Sequence, residues 1–376
     1  MIKKILVVIF LFIILPVTVK ADRVYEYDLT KSTSEKANDK VSEFIESLPE
    51  EIKKELPESG EALKIEEYDF DFFARITGNA LKEAIVPAVG TAAALTGIVI
   101  IAAVFHIFSK SVGSHSLEEV FSFSASVCTA LAAFGSIKAV FDMQDKLLSS
   151  ISNTVLWAMP AMEAVHIASG NLTTAVVTST GINLMISFTQ SLFSKVISPA
   201  VYILFVLCIA SSVTKNKGMG FMVKSLKGLI TGAIVAVMTL MTFVLALQTM
   251  AGTAQDSVTV KSVKFAMGTY IPIVGGSISE TLSVIGASVG VIKSLCGITA
   301  IAALIIAFLG PFANIILSRI AIGLSGAAAE VLGCEREGML LSECKSICDI
   351  LIAISLASCA MFIVALGIFC ASGSGV

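Results

Sequence analysis

Apolar positions run along most of this chain in blocks long enough to cross a bilayer, separated by short polar clusters. Ala84 to Phe108 is the first clear block, with Pro87 in its opening turn, where a missing N–H costs little. Val120 to Phe141 follows, less apolar, with Lys138 near its end, where the side chain can reach the interface. Leu147 to Ser169 and Leu172 to Phe193 are weaker, being rich in Ser, Thr and small residues. Val196 to Val213 is a better span, and Leu226 to Ala246 carries Gly228 and Gly232 at a spacing suited to close helix contact. Leu295 to Ile320 is strong, and its internal Gly310-Pro311 predicts a kink. Ile347 to Phe369 is the cleanest of all. The pattern predicts an all-α, polytopic helical membrane protein with about 6–9 membrane segments, some of them re-entrant or broken.

One stretch breaks the pattern. Lys261 to Phe312 looks like membrane sequence, yet Tyr270 to Ile292 holds Pro272, four glycines, four serines and Glu280. A central ionised residue costs about 2.5–3.5 kcal/mol on insertion, while each large aliphatic residue returns only about 0.3–0.6 kcal/mol. Such a segment is tolerated against protein or a wet cavity rather than lipid. It reads as a re-entrant or broken helix, entered through an amphipathic helix over Ala254 to Gly268. The candidate pore or docking residues are Pro272, Gly275, Gly276, Ser279, Glu280, Lys293 and Pro311. Glu280 is either an ion or proton site or a carboxyl that orients the neighbouring serines.

Composition and charge sharpen the division of the chain. Apolar residues make up 56% and mean hydropathy is +0.89, well above soluble domains. Asp22 to Glu83 holds 17 acidic and 9 basic residues, a balance of −8, whereas the remainder from Ala84 is close to neutral. Residues 1–21, with Lys3 and Lys4 before an apolar run and Val19-Lys20-Ala21 after it, read as a signal peptide. Residues 22–83 are then an exported acidic segment, and 84–376 the multi-span domain. Within the segment, Val41, Phe44, Ile45 and Leu48 recur at helical spacing, as do Phe72, Phe73, Ile76 and Ala80. Those faces pack on the chain's own membrane domain, on a partner or on the bilayer surface. Four lysines, 215, 217, 224 and 227, mark a cytoplasmic loop. An odd number of crossings must precede it if Glu83 starts outside: five if every candidate spans, three if Leu147 to Phe193 is one hairpin.

Motifs for chemistry are sparse. No phosphate loop, zinc helix or GxSxG elbow occurs, which argues against an enzyme, and no cofactor or metal site is expected. The eight cysteines form no CxxC pair and read as small apolar residues in helices. No basic surface for nucleic acid is present. Pro160, Glu163 and His166 form a secondary candidate group, with Glu163 and His166 on one helix face as a proton relay or a packing pair. A secondary transporter with a midplane site at broken helices around Pro160 and Pro272 is the alternative function.

The run KFAMGTYIPIVGGSISETLSVIGASVGVIKSLCGITA, with the GPF-containing span after it, resembles the stage III sporulation protein AE family. WAMPAMEAVHIASGNLTTA is similar to that family's upstream Pro-and-Gly segment, and the resemblance covers most of Phe72 to Gly373. It implies a non-enzymatic integral component of a sporulation-specific secretion or feeding channel between mother cell and forespore. The implied location is the mother-cell membrane around the forespore, with the N-terminal segment extracytoplasmic. The implied partners are other membrane proteins of the stage III sporulation operon and a forespore membrane partner, besides the lipid bilayer. Homo-oligomerisation is left open.

Overall fold

The computed structural model describes residues 70–112, 115–168, 172–214, 218–237 and 275–371, together with 48–54, which include a helical turn at Glu50–Lys53, and shorter pieces elsewhere between 42 and 56 and between 239 and 247. The signal peptide, the helix expected over 254–268 and Pro272 lie outside the described residues. Everything long in the described chain is helical: α1 (Phe70–Val112), α2 (His115–Ala168), α3 (Leu172–Leu192), α4 (Ser198–Thr214), α5 (Gly218–Met241), α6 (Gly275–Val331) and α7 (Glu335–Ala371). Among the described residues six stretches are long and apolar enough to cross a membrane, with α3 and α4 together making one of them.

Two features merge elements that the hydropathy pattern separates. The interval 138–146, KAVFDMQDK, divides two apolar blocks but contains no Gly or Pro, so the backbone continues as α2 for 54 residues. Lys138, Asp142, Asp145 and Lys146 simply turn outward. Between α3 and α4 the chain makes a π-helical turn, Phe193–Ile197, ahead of Pro199. Pro199 has no N–H for the carbonyl of Lys195, and the wider turn shifts the register so that Ser198 N–H bonds Phe193 O. Among the described residues three candidate spans therefore precede residues 215–217, an odd number reached without a hairpin over 147–193.

The last third also differs from expectation. From Gly275 onward the chain is one 57-residue helix running through Pro311, so the break expected in that stretch is absent from 275 to 312. Pro311 cannot donate to Ala307, and Asn314 Nδ2 donates to Gly310 O at 3.0 Å beside that gap. The polar connector before the final span is itself helical, and α7 starts at Glu335.

Side-chain contacts set the directions of packing. Phe105 stacks on Phe121 (5.7 Å), making α1 and α2 antiparallel. Phe141–Tyr202 (4.5 Å) and Phe134–Phe205 (5.9 Å) run α4 back along α2. Thr96 meets Ser325 at 3.0 Å, and Ala80 and Ala84 cluster with Ala313, so α6 lies parallel to α1. Ser126–Glu337 and Gln144–Ser355 likewise set α7 parallel to α2. The junctions α1 to α2, α4 to α5 and α6 to α7 thus share one end of the bundle, here the loop end. The starts of α1 and α6 and the finish of α7 share the other, the terminal end.

The core lies where α6 and α7 meet α1 and α2, around Leu95, Ile137, Ile151, Leu304, Leu351 and Phe362, all essentially inaccessible. From the acidic segment, Ile45, Leu48, Ile52 and Leu56 are buried in this same core, with Phe72 and Ile76 beside them. Of the three surfaces open to those amphipathic faces, they take the chain's own membrane domain.

Candidate functional site: a charged layer on the α6–α7 hairpin

The hairpin starts from one glycine. Gly333 has φ +74°, a left-handed conformation that costs a side chain about 1 kcal/mol or more. Its N–H bonds Glu330 O (3.1 Å) and Cys334 N–H bonds Ala329 O (2.9 Å), which caps the orphan carbonyls of α6 and reverses the chain within three residues. Two further glycines let the helices close. A Cβ on Gly326 would sit 3.3 Å from Leu341 Cβ, and one on Gly338 3.0 Å from Glu330 Cγ.

This tight return sets the register of Arg319 against Asp349, and Glu343 on the same hairpin meets a lysine of α5. Arg319 Nε donates to Asp349 Oδ1 at 2.5 Å, joining α6 to α7. Lys227 of α5 forms an ion pair with Glu343 of α7, and Cys208 Sγ of α4 lies 3.8 Å from the same carboxylate. Deeper in the bundle, Ser126 Oγ donates to Glu337 Oε1 (2.9 Å), both groups being buried. Gln144 Oε1 lies 2.7 Å from the Ser355 hydroxyl, which is also 2.9 Å from Leu351 O. Each pair joins two helices. Isolated in an apolar bundle, any of these groups would carry a large desolvation penalty; paired, they fix helix register.

The residues singled out by sequence fare unevenly. Gly275, Gly276, Ser279, Glu280 and Lys293 lie on helical backbone at the start of α6, and side chains are described from Cys296 onward. Pro311 is half-buried in the interior of α6. Pro160 is exposed on an unbroken α2, Glu163 is half-buried, and His166 is buried. His166 Nε2 donates to Phe369 O at 2.8 Å and its ring stacks on Phe369 (4.5 Å), clasping the ends of α2 and α7 together. The broken helix that a transporter site at Pro160 would need is not formed. Among the described residues, no group of three or more His, Cys, Asp or Glu could hold a metal.

Arg319, Asp349, Lys227 and Glu343 were missed by sequence reasoning. A usable signal was present: Arg319 and Asp349 are opposite charges at nearly equal distances from Gly333, so a hairpin turning there brings them together.

These features define an all-helical, multi-pass membrane protein in which several polar side chains pair across helix–helix contacts. The chain belongs to the stage III sporulation protein AE family, whose model matches residues 62–373. It is 22% identical over 204 residues to the Stage III sporulation protein AE of Bacillus subtilis (strain 168), an alignment covering 54% of this chain and 51% of that protein. The matched region thus spans about half the length of that relative. No solved structure matches.

Proposed function

We infer that this protein is a non-enzymatic subunit of a sporulation-specific secretion or feeding channel in the mother-cell membrane. In this reading its partners are the other stage III sporulation membrane proteins and a forespore membrane protein. Its charged layer is the surface that either borders the conduit or docks a neighbouring subunit. One observation supports it above others. Arg319, Asp349 and Glu343 of the α6–α7 hairpin and Lys227 of α5 pair within stretches apolar enough to span, and intramembrane charges of that kind mark pathways and contacts.

Orientation follows from the alternation of the six spans. Lys224 and Lys227 lie on α5, and Lys215 and Lys217 fall between α4 and α5 in sequence, so in this reading the loop end faces the cytoplasm by the positive-inside rule. The acidic N-terminal segment and the C-terminus then face the extracytoplasmic space, towards the forespore.

The test uses sporulating cells. Glu343→Gln combined with Lys227→Met should reach wild-type membrane levels yet fail to support forespore development. Tagged wild-type protein should co-purify with other stage III sporulation proteins. Normal sporulation by the double variant would remove the role of the layer, and purification without any sporulation partner would remove the subunit assignment.

A further inference from the structure

The helices are too long for the membrane they cross. At 1.5 Å per residue, the 54 residues of α2 extend about 80 Å and the 57 of α6 about 85 Å, against a hydrocarbon core of roughly 30 Å. More than half of the bundle's length therefore lies outside the acyl chains. The outward-facing residues show which half is inside.

From Ala84 to Phe108, α1 has no Asp, Glu, Lys or Arg, and its outward positions, Val86 and Val104 among them, are exposed and apolar. Leu131 on α2, Ile203 on α4 and Leu229 on α5 continue that surface around the bundle. On the terminal side this surface is interrupted by a ring of charge, past which further apolar residues, Ile167, Val176 and Leu184 among them, are exposed. Counting from the Phe105–Phe121 stack, Lys82 on α1 is level with Gln144 on α2. Asp142, Asp145 and Lys146 point outward there. Counting from the Phe141–Tyr202 stack, Lys195 reaches the same level within a turn. Beyond the ring those apolar residues alternate with exposed polar ones such as Asn153, Thr180, Asn183 and Gln190, a mixture absent from the outward positions of α1 between Ala84 and Phe108. Among the described residues of 296–318 and 350–369 no large apolar side chain is exposed; those stretches of α6 and α7 are sheathed by protein.

We propose that the bilayer is seated on the loop-end half of the bundle alone, with Lys82, Lys146 and Lys195 meeting lipid phosphates at its rim. The terminal half stands clear of the membrane as a helical stalk. The 22 residues of α2 past Lys146 alone extend about 33 Å, and α6 reaches further. Two sequences that pass for membrane spans by composition, within α6 and α7, are thereby largely the core of an extramembrane bundle. The charged layer of Arg319, Asp349, Lys227 and Glu343 falls on the bilayer side of the ring. This placement holds whichever face of the membrane is cytoplasmic, and it does not depend on the channel assignment.

The chain's single tryptophan, Trp157, is a native reporter about 17 Å beyond Lys146 on the stalk side. The full chain is reconstituted into phosphatidylcholine vesicles with brominated acyl chains, which quench indole emission at short range. Wild-type protein should keep its emission. Leu131→Trp in a Trp157→Phe background should lose most of it. Both substitutions are of partly or fully exposed residues, and circular dichroism checks that the fold is retained. Quenching of Trp157 as strong as at position 131 would mean the whole bundle is immersed and would overturn the proposal. So would quenching of Trp157 alone, or of neither.

Discussion

Arg319 and Asp349 join the two innermost helices by a 2.5 Å hydrogen-bonded ion pair, each side chain 27% exposed. Neutralising one partner leaves the other charged among apolar neighbours, which is worse than losing both. Asp349→Ala should destabilise the detergent-solubilised protein by about 1–3 kcal/mol. The exchanged pair, Arg319→Asp with Asp349→Arg, should recover much of that loss in a thermal melt. Equal damage from the exchange and the single change would show that the pair contributes no register.

Close helix approach at Gly326 predicts a size limit. Gly326→Val must displace Leu341 and should cost about 1–3 kcal/mol as an overpacked contact. A Cβ on Gly135 would meet nothing within 4 Å, so Gly135→Ala should be neutral or stabilise by up to about 1 kcal/mol. Chemical denaturation of the two variants side by side checks the contrast.

The hairpin turn gives a third expectation. Gly333→Ala should lower stability by about 1–2 kcal/mol because of its positive φ, with Gly333→Asn milder. A melting series that places Asn below Ala would contradict a left-handed turn at this position.

Ser126 supplies a hydrogen bond to the buried Glu337 carboxylate. Ser126→Ala withdraws it and should cost about 1–3 kcal/mol, whereas Ser126→Thr, keeping the hydroxyl, should cost less. Limited proteolysis in detergent would report the difference as earlier cleavage of the alanine variant.

Much of this architecture is legible in the residues, because a long apolar run has few alternatives to a helix. The blocks at 84–108 and 347–369 are of that kind, and the helical face of Ile45 and Leu48 anticipates their burial. The continuity of α2 through 138–146 is not legible from hydropathy, since that measure registers Lys138, Asp142, Asp145 and Lys146 as an interruption. The backbone responds instead to the absence of Gly and Pro there. Conversely, the glycines at the start of α6 suggest a break, yet the helix already begins at Gly275. The ion pairs escaped notice for a different reason. Pairing is a property of two helices, and neither Arg319 nor Lys227 names its partner in its own local sequence.

The parallel contact between α1 and α6 also has a consequence for synthesis. Thr96 and Ser325 touch across 229 residues of chain. At bacterial elongation rates of about 5–20 residues per second, the first hairpin waits roughly 10–50 s for the helix that completes it. During that interval Leu95 and Val99, inaccessible in the finished bundle, have no α6 to cover them. Ribosome-bound intermediates ending before α6 are therefore the stage at which an insertase or protease meets an unfinished protein, and premature stops there should leave little product in the membrane.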